Sequence, residues 1–276
     1  MFSVQKIASF DAPELEPYRT MRRPKEHEAR GIFVAEGDKV TQRLLESRFT
    51  VLSVVLPENR LAEFQPLIEK RPEPIAVYLA DRKFLQTLVG IELFQGVLAV
   101  GQIPHPVSLD DLLTTNTTPK LFAAVDGLTN SENIGLLVRN CAAFGLQGLI
   151  VGPTSASPFL RRAVRNSMGA IFQLPVVELA HVSTLAQALH TLRTRGIRCI
   201  AAHPHTDKTI ARADFTRDCC LVFGSEGAGL SPETLAVCDE AVAIPMPPRI
   251  DSLNVGAAAA IFLYEANRQR GEKLRS

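Results

Sequence analysis

The stretch Ile244-Pro-Met-Pro-Pro-Arg-Ile-Asp-Ser-Leu-Asn-Val-Gly-Ala-Ala-Ala-Ala-Ile-Phe-Leu-Tyr-Glu265 decides how the rest of the chain is read. Ala241 to Met246 reads as the end of a buried strand, and Pro245, Pro247 and Pro248 stop the chain from continuing into regular hydrogen-bonded structure. A polar loop with Arg249, Asp251, Ser252 and Asn254 follows. Asp251 or Ser252 is placed to accept a bond from the first free N–H groups of a helix reaching to about Arg268. Leu253, Val255, Ile261, Phe262, Leu263, Tyr264 and the small residues 256–260 leave that helix without a solvated stripe. It is therefore expected to be buried on more than one side, with another backbone close to its small residues.

A chain of 276 residues with 46% hydrophobic content buries a sizeable core and is expected to form two domains. No run approaches the roughly 18 apolar residues of a membrane span. The N-terminus, with Asp11, Glu14 and Glu16, lacks the basic-then-apolar pattern of a secretory leader, so a cytoplasmic protein with no membrane partner is expected. The five cysteines, Cys141, Cys199, Cys219, Cys220 and Cys238, sit in apolar runs without C-x-x-C spacing and read as reduced thiols. His203-Pro-His205 is the nearest approach to a ligand pair, but no further ligand follows it, so no metal site is expected. Lys and Arg number 14 against 16 Asp and Glu up to Pro119, and 16 against 13 beyond it. This asymmetry is compatible with a polyanionic partner without demanding one.

Outward from the opening stretch, strands and helices alternate. In the first half, Ile32 to Ala35, Val51 to Leu56, Ile75 to Leu79 and Gly96 to Val100 read as strands. Asp38 to Glu46, Leu61 to Glu69 and Arg82 to Val89 read as helices between them, the first capped by Asp38. A short helix around Pro13 to Tyr18 precedes them. This predicts a small N-terminal α/β/α domain over 1–103. Residues 104–119, with Pro104, Pro106, Pro119 and a threonine-rich end, read as a linker that could hold a short helix near Ser108 to Leu113.

Over 120–276, Leu121 to Val125, Gly148 to Val151, Cys199 to Ala202, Cys219 to Phe223 and Ala241 to Ile244 read as buried strands. Ile134 to Phe144, Phe159 to Met168, Thr184 to Arg195 and Pro232 to Cys238 carry helical spacing, with Ser183 and Ser231 as caps. The result is an α/β domain with a parallel sheet. Ligands of such sheets bind where strands run into helices, at the carboxyl ends.

Three loops at such ends carry chemistry. The first, Asp126-Gly-Leu-Thr-Asn-Ser-Glu-Asn133-Ile-Gly135, enters a helix that Asn133 could cap. Arg139 on that helix projects away from the face of Ile134, Leu137, Val138 and Cys141; it is either solvated or free to hold a phosphate with its planar fork. The second, Gly224-Ser-Glu-Gly-Ala-Gly-Leu-Ser231, has glycines at relative positions 0, 3 and 5 rather than the dinucleotide fingerprint's 0, 2 and 5. Glu226 within it suits a ligand with hydroxyl donors or positive charge. The third is the bend with Arg249, Asp251, Ser252 and Asn254. Arg161, Arg162 and Arg165 share one helix, as a solvated face or as phosphate contacts.

Asn133-Ile-Gly135 with Arg139, Gly224 to Ser231, and Ile244-Pro-Met with Ser252-Leu-Asn-Val255 together resemble the three motifs of the SpoU, or TrmH, family of RNA ribose 2′-O-methyltransferases. Arg165-Asn-Ser-Met-Gly-Ala170 resembles a further family segment, and Ile32-Phe-Val-Ala-Glu-Gly-Asp38 with Phe94-Gln-Gly-Val97 resembles the family's substrate-binding domain. The resemblance implies a SPOUT α/β fold closed by a deep trefoil knot, an exception to the rule against knots. It also implies a homodimer, S-adenosylmethionine as cofactor, and ribosomal or transfer RNA as partner. Gly224, Glu226, Gly227, Ile244, Met246 and Leu253 would hold the cofactor. Arg139 would be catalytic, with Asn133, Glu226, Ser252 and Asn254 arranging it and the substrate, and Arg161, Arg162 and Arg165 would contact RNA. The competing expectation is a non-catalytic RNA-binding protein that keeps the fold. Pro247-Pro248 and Gly256 depart from the family's ordinary pattern and leave the local loop shape open.

Overall fold

The computed structural model of the protein describes residues 2–7, 9, 11–89, 96–114, 118–179, 183–247 and 249–271. Phe94, Gln95 and Pro248, quoted above, lie outside these residues. The elements begin with β1 (Phe2–Lys6), α1 (Glu16–Arg19), α2 (Pro24–Ala29), β2 (Ile32–Glu36), α3 (Asp38–Leu45), β3 (Val51–Leu56), α4 (Leu61–Glu69), β4 (Ile75–Leu79), α5 (Arg82–Val89) and β5 (Leu98–Gln102). They continue with α6 (Leu109–Leu113), β6 (Leu121–Val125), α7 (Ser131–Ala143), β7 (Gly148–Val151), α8 (Arg161–Asn166), β8 (Val176–Glu178) and α9 (Leu185–Thr194). The last are β9 (Arg198–Ala202), β10 (Cys219–Phe223), α10 (Pro232–Ala236), β11 (Glu240–Val242) and α11 (Val255–Gln269). Among the described residues no helix is long and apolar enough to cross a membrane.

Two units emerge, Met1–His105 with Phe159–Gln173, and Pro106–Pro158 with Leu174–Ser276. In the first, the sheet runs β1-β4-β3-β5-β2. Its strands are parallel except β5, which is antiparallel to both neighbours. Tyr18, Leu15, Val34 and Leu85 close one side of this sheet. On Phe33, whose ring centroid lies 5.9 Å from Phe159 and 5.7 Å from Phe172, the segment around α8 docks; Phe49 joins at 5.4 Å from Phe172. Such pairs are worth about 0.5–1.5 kcal/mol each beyond the area they bury. The docked segment also brings Arg161 and Arg165 to Glu36, at 2.5 and 2.9 Å.

These contacts correct the expected boundaries. Residues 159–173 belong with the first unit, and the helix there is shorter than the predicted Phe159 to Met168. Nor is 104–119 a bare connector. Ser108 caps α6 in a reciprocal box with Asp111, and Leu112 and Leu113 enter the core of the second unit.

The second unit's sheet runs β11-β9-β10-β6-β7-β8, every pair parallel. Phe122, Ile150, Leu189, Cys220 and Val222 pack in one core cluster. Phe262 of α11 meets Phe223 and Phe215 edge-on at 5.9 and 6.3 Å, and the Asn140 amide of α7 donates to the Gly256 carbonyl at 2.7 Å. A Cβ on Gly256 would lie 3.1 Å from Asn254 Oδ1 and 3.2 Å from Leu136 Cβ, which accounts for glycine at this departure from the family pattern. Within one chain α11 buries Val255, Ala259, Phe262, Leu263 and Ala266 and leaves Ile261 40% and Tyr264 50% exposed.

Candidate active site

The carboxyl ends of β9 and β10 open onto a cavity of about 300 Å³ in the second unit. That is the lower end of the range typical for small-molecule sites. Its shape begins with Gly224, the first residue after β10. A Cβ there would fall 2.2 Å from the Gly229 carbonyl carbon, so only glycine lets the loop fold this tightly back on the strand end. Ser225 and Gly229 exchange both main-chain bonds at 3.0 Å, and Gly229 takes φ +68° to close the turn. Behind it, the Asp126 carboxylate accepts from both the Ser231 N–H at 2.9 Å and the Ser231 hydroxyl at 2.7 Å. Asp126 is 9% exposed and anchors the first loop to the second; its place at the head of the quoted loop was the signal for this role.

The third loop supplies the junction. Asn254, rather than Asp251 or Ser252, caps α11: its Oδ1 accepts from the Gly256 N–H at 2.9 Å. The same amide's Nδ2 donates to Glu226 Oε1 at 2.7 Å and to Asn133 Oδ1 at 3.0 Å. One side chain therefore joins all three loops. Asn133 does not cap α7, since Asn130 does so by accepting from the Glu132 N–H at 2.8 Å. Asn133 instead lies buried in the first turn, with its Nδ2 lacking a hydrogen-bond partner among the described residues. Burying such a donor unpaired costs about 1–3 kcal/mol.

The sequence-predicted residues separate into three groups. Gly224, Glu226, Gly227, Ile244, Met246 and Leu253 all line the cavity, as does Ser252. Asn133 and Asn254 stand at the junction beside Glu226. Arg139 is exposed on α7, outside the cavity lining and without a hydrogen-bond or ion-pair partner among the described residues. Arg161 and Arg165 are in the other unit and held by Glu36, itself 4% exposed; Arg162 is exposed on the same helix. Burial pulls the Arg161 pKa down and Glu36 opposes that pull. Sequence reasoning missed a role for His203 and His205, which also line the cavity.

The donor set fits the expected S-adenosylmethionine. Phe223, Leu230, Val242, Val255 and Phe262 offer apolar walls to an adenine, and Glu226, Asp251 and Ser252 offer acceptors to ribose hydroxyls or cationic groups. A pyrophosphate would meet carboxylates here and no lysine or arginine among the lining residues. The chemistry available is thus the binding of a small, partly cationic ligand beside an immobilised carboxylate–amide network.

Residues 120–264 match the SpoU rRNA Methylase family. Over 96% of its length the chain is 34% identical to a Mycobacterium tuberculosis protein named "Uncharacterized tRNA/rRNA methyltransferase", of which the match covers 92%. It is 30% identical, over 84% of its length and 93% of the relative's, to the 23S rRNA (guanosine-2′-O-)-methyltransferase RlmB of Ralstonia nicotianae. Among solved structures, the SpoU methyltransferase AviRb from Streptomyces viridochromogenes in complex with the cofactor AdoMet is similar with a TM-score of 0.80 and 28% identity, covering 94% of this chain and 98% of that one.

Proposed function

The chain belongs to the SpoU rRNA methylase family, and we propose that it works as a cytoplasmic homodimer, with a knotted second unit, that methylates a ribose 2′-hydroxyl of ribosomal or transfer RNA using S-adenosylmethionine. One observation carries the site assignment: the Asn254 amide gathers Glu226, Asn133 and the start of α11 at the rim of the cavity. The buried Asn133 Nδ2, without a hydrogen-bond partner among the described residues, stands beside this carboxylate–amide network and supports a ligand site there.

Gly224, Gly227, Ile244, Met246 and Leu253 hold the cofactor by shape, since every one of them lines the cavity. Bound there, S-adenosylmethionine would supply an electrophilic sulfonium methyl for the ribose oxygen, with the C–S electron pair left on sulfur and the hydroxyl proton released. The protein's task is then to bring the hydroxyl into line and ease that proton away. Glu226 and Ser252 face the cavity and orient the ribose; Asn254 keeps Glu226 from swinging out of position. Arg139 carries a guanidinium that donates and does not accept, which makes it a poor base. It acts as a clamp on the phosphate next to the target ribose and aids deprotonation only in that complex. Arg165, half exposed while braced by Glu36, suits an RNA phosphate in the first unit together with Arg162. Arg161, with a side chain only 14% exposed, acts mainly by fixing that surface.

Dimerisation is supported by the neighbouring exposed apolar residues on α7 and α11: Leu136 is 38%, Ile261 40% and Tyr264 50% exposed. The free thiols support a reducing compartment.

The decisive experiment replaces Arg139 by Ala and follows labelled methyl transfer to RNA alongside calorimetric cofactor binding. Methyl transfer should fall at least about a hundredfold, the scale of losing an electrostatic clamp in the transition state, with cofactor affinity within about twofold of the wild type. Near wild-type turnover would overturn the assignment.

A further inference from the structure

His203-Pro204-His205 follows β9 directly, and all three residues line the cavity. The His203 N–H donates to the Val242 carbonyl at 3.0 Å and so extends the pairing of β9 with β11 by one residue. Pro204 then fixes the next backbone turn. The His205 N–H folds back to donate to His203 Nδ1 at 3.2 Å, leaving the rings 6.0 Å apart and nearly perpendicular. Because Nδ1 accepts that bond, the ring proton of His203 is on Nε2, which remains available as a donor. This is a braced pair of imidazoles, shaped before any ligand arrives.

The charge inventory of the cavity gives the pair its meaning. Among the lining residues Glu226 and Asp251 are acidic, no lysine or arginine is present, and His203 and His205 supply ring N–H donors. S-adenosylmethionine has two cationic groups, the sulfonium and the ammonium, and one anion, its α-carboxylate. The two carboxylates of the lining suit the cations and the ribose hydroxyls. A desolvated carboxylate needs donors of its own.

We infer that His203 and His205 form a carboxylate-binding subsite that takes the α-carboxylate of the cofactor's methionine portion. The inference rests on the cofactor reading above and extends it to two residues outside the family motifs. It makes the cavity selective for ligands that keep the amino-acid end, both S-adenosylmethionine and the product S-adenosylhomocysteine.

The test titrates the full chain by calorimetry with S-adenosylmethionine, S-adenosylhomocysteine, decarboxylated S-adenosylmethionine and 5′-methylthioadenosine. It uses the wild type and the variants His203→Asn, His205→Asn and the double variant; Asn at 203 retains an acceptor for the turn, and thermal melting checks the fold. The wild type should bind the two carboxylate ligands roughly ten- to a hundredfold more tightly than their counterparts, the scale of a hydrogen bond to a charged group. The double variant should lose that factor for the carboxylate ligands while its affinity for the other two stays within about twofold. Equal weakening of all four ligands, no weakening of any, or a wild type indifferent to the carboxylate would each overturn the subsite. A wild type that binds none of the four would instead overturn the cofactor reading itself.

Discussion

The first unit's sheet is mixed, with β5 running against both neighbours, whereas every strand pair of the second is parallel. A wholly parallel sheet delivers the carboxyl ends of its strands to a single edge, and β9 and β10 there open into the cavity loops. In the first unit, polar groups are consumed by one another. Glu36 is shared by Arg161 and Arg165, while Arg71, 9% exposed, is spent on Glu73 and the carbonyls of Leu45, Ser47 and Phe49. In the second unit Glu226, Asp251 and Ser252 face the cavity, and Asn133 Nδ2, like Asn267 Oδ1 farther along α11, has no hydrogen-bond partner among the described residues. A scaffold turns its charged groups on one another; a site keeps some of them turned toward a ligand.

Glycine substitutions should break this contrast most visibly. In Gly224→Ala the new Cβ meets main chain at 2.2 Å, which cannot yield without opening the loop, so cofactor affinity measured by calorimetry should fall more than about a hundredfold. Gly101→Ala in the first unit meets the Phe33 ring at 2.4 Å. A ring can shift, so this change should cost about 1–3 kcal/mol in urea unfolding and leave cofactor affinity unaltered. Equal loss of binding in both variants would erase the distinction between scaffold and site.

Glu36→Gln comes next in size. It leaves Arg161 buried beside a neutral amide, and breaking a buried ion pair from one side costs about 3–5 kcal/mol; the half-exposed Arg165 adds little. Hydrogen exchange should localise the loss to β2 and α8. The smallest effect concerns His27, buried in the first unit and hydrogen-bonded to the Thr20 hydroxyl at 3.1 Å. Burial lowers its pKa below the ordinary 6.5. The unfolded chain therefore takes up a proton first as pH falls. The contribution of neutral His27 is present in full above pH 6.5 and is lost as the pH drops through the lower folded-state value. Melting of the first unit should weaken over that window, and His27→Gln should flatten the dependence.

Much of this was legible in the chain. The strands Val51–Leu56, Ile75–Leu79, Leu121–Val125, Gly148–Val151 and Cys219–Phe223 match their apolar runs residue for residue, because buried strands need no more than continuous apolar character. β1 escaped notice because Phe2–Lys6 is a mostly exposed edge strand, and β8 because it is three residues long. The caps were harder. Asp251, Ser252 and Asn254 are all chemically competent, and only the need to reach Glu226 and Asn133 with the same side chain selects Asn254. Likewise Thr184, not Ser183, caps α9, because only Thr184 pairs reciprocally with Gln187. Nothing local marks 159–173 as a part of the first unit, since its reason is four phenylalanines brought together from positions 33, 49, 159 and 172. The cavity residues were legible as motifs. The histidines beside them were visible only as a pair awaiting a third ligand, since a sequence does not show that two imidazoles face a cavity lined by acids.

The Asn254 amide has an evolutionary consequence. With one oxygen on the Gly256 N–H and one nitrogen divided between Glu226 and Asn133, it leaves no position of the three able to drift alone. A carboxylate at 254 would repel Glu226, and an aspartate at 133 would still accept from Asn254 but abolish the spare donor. Descendants of this sequence should therefore keep all three side chains or abandon them together, so that loss of the trio in a relative marks the point at which its lineage gave up the reaction.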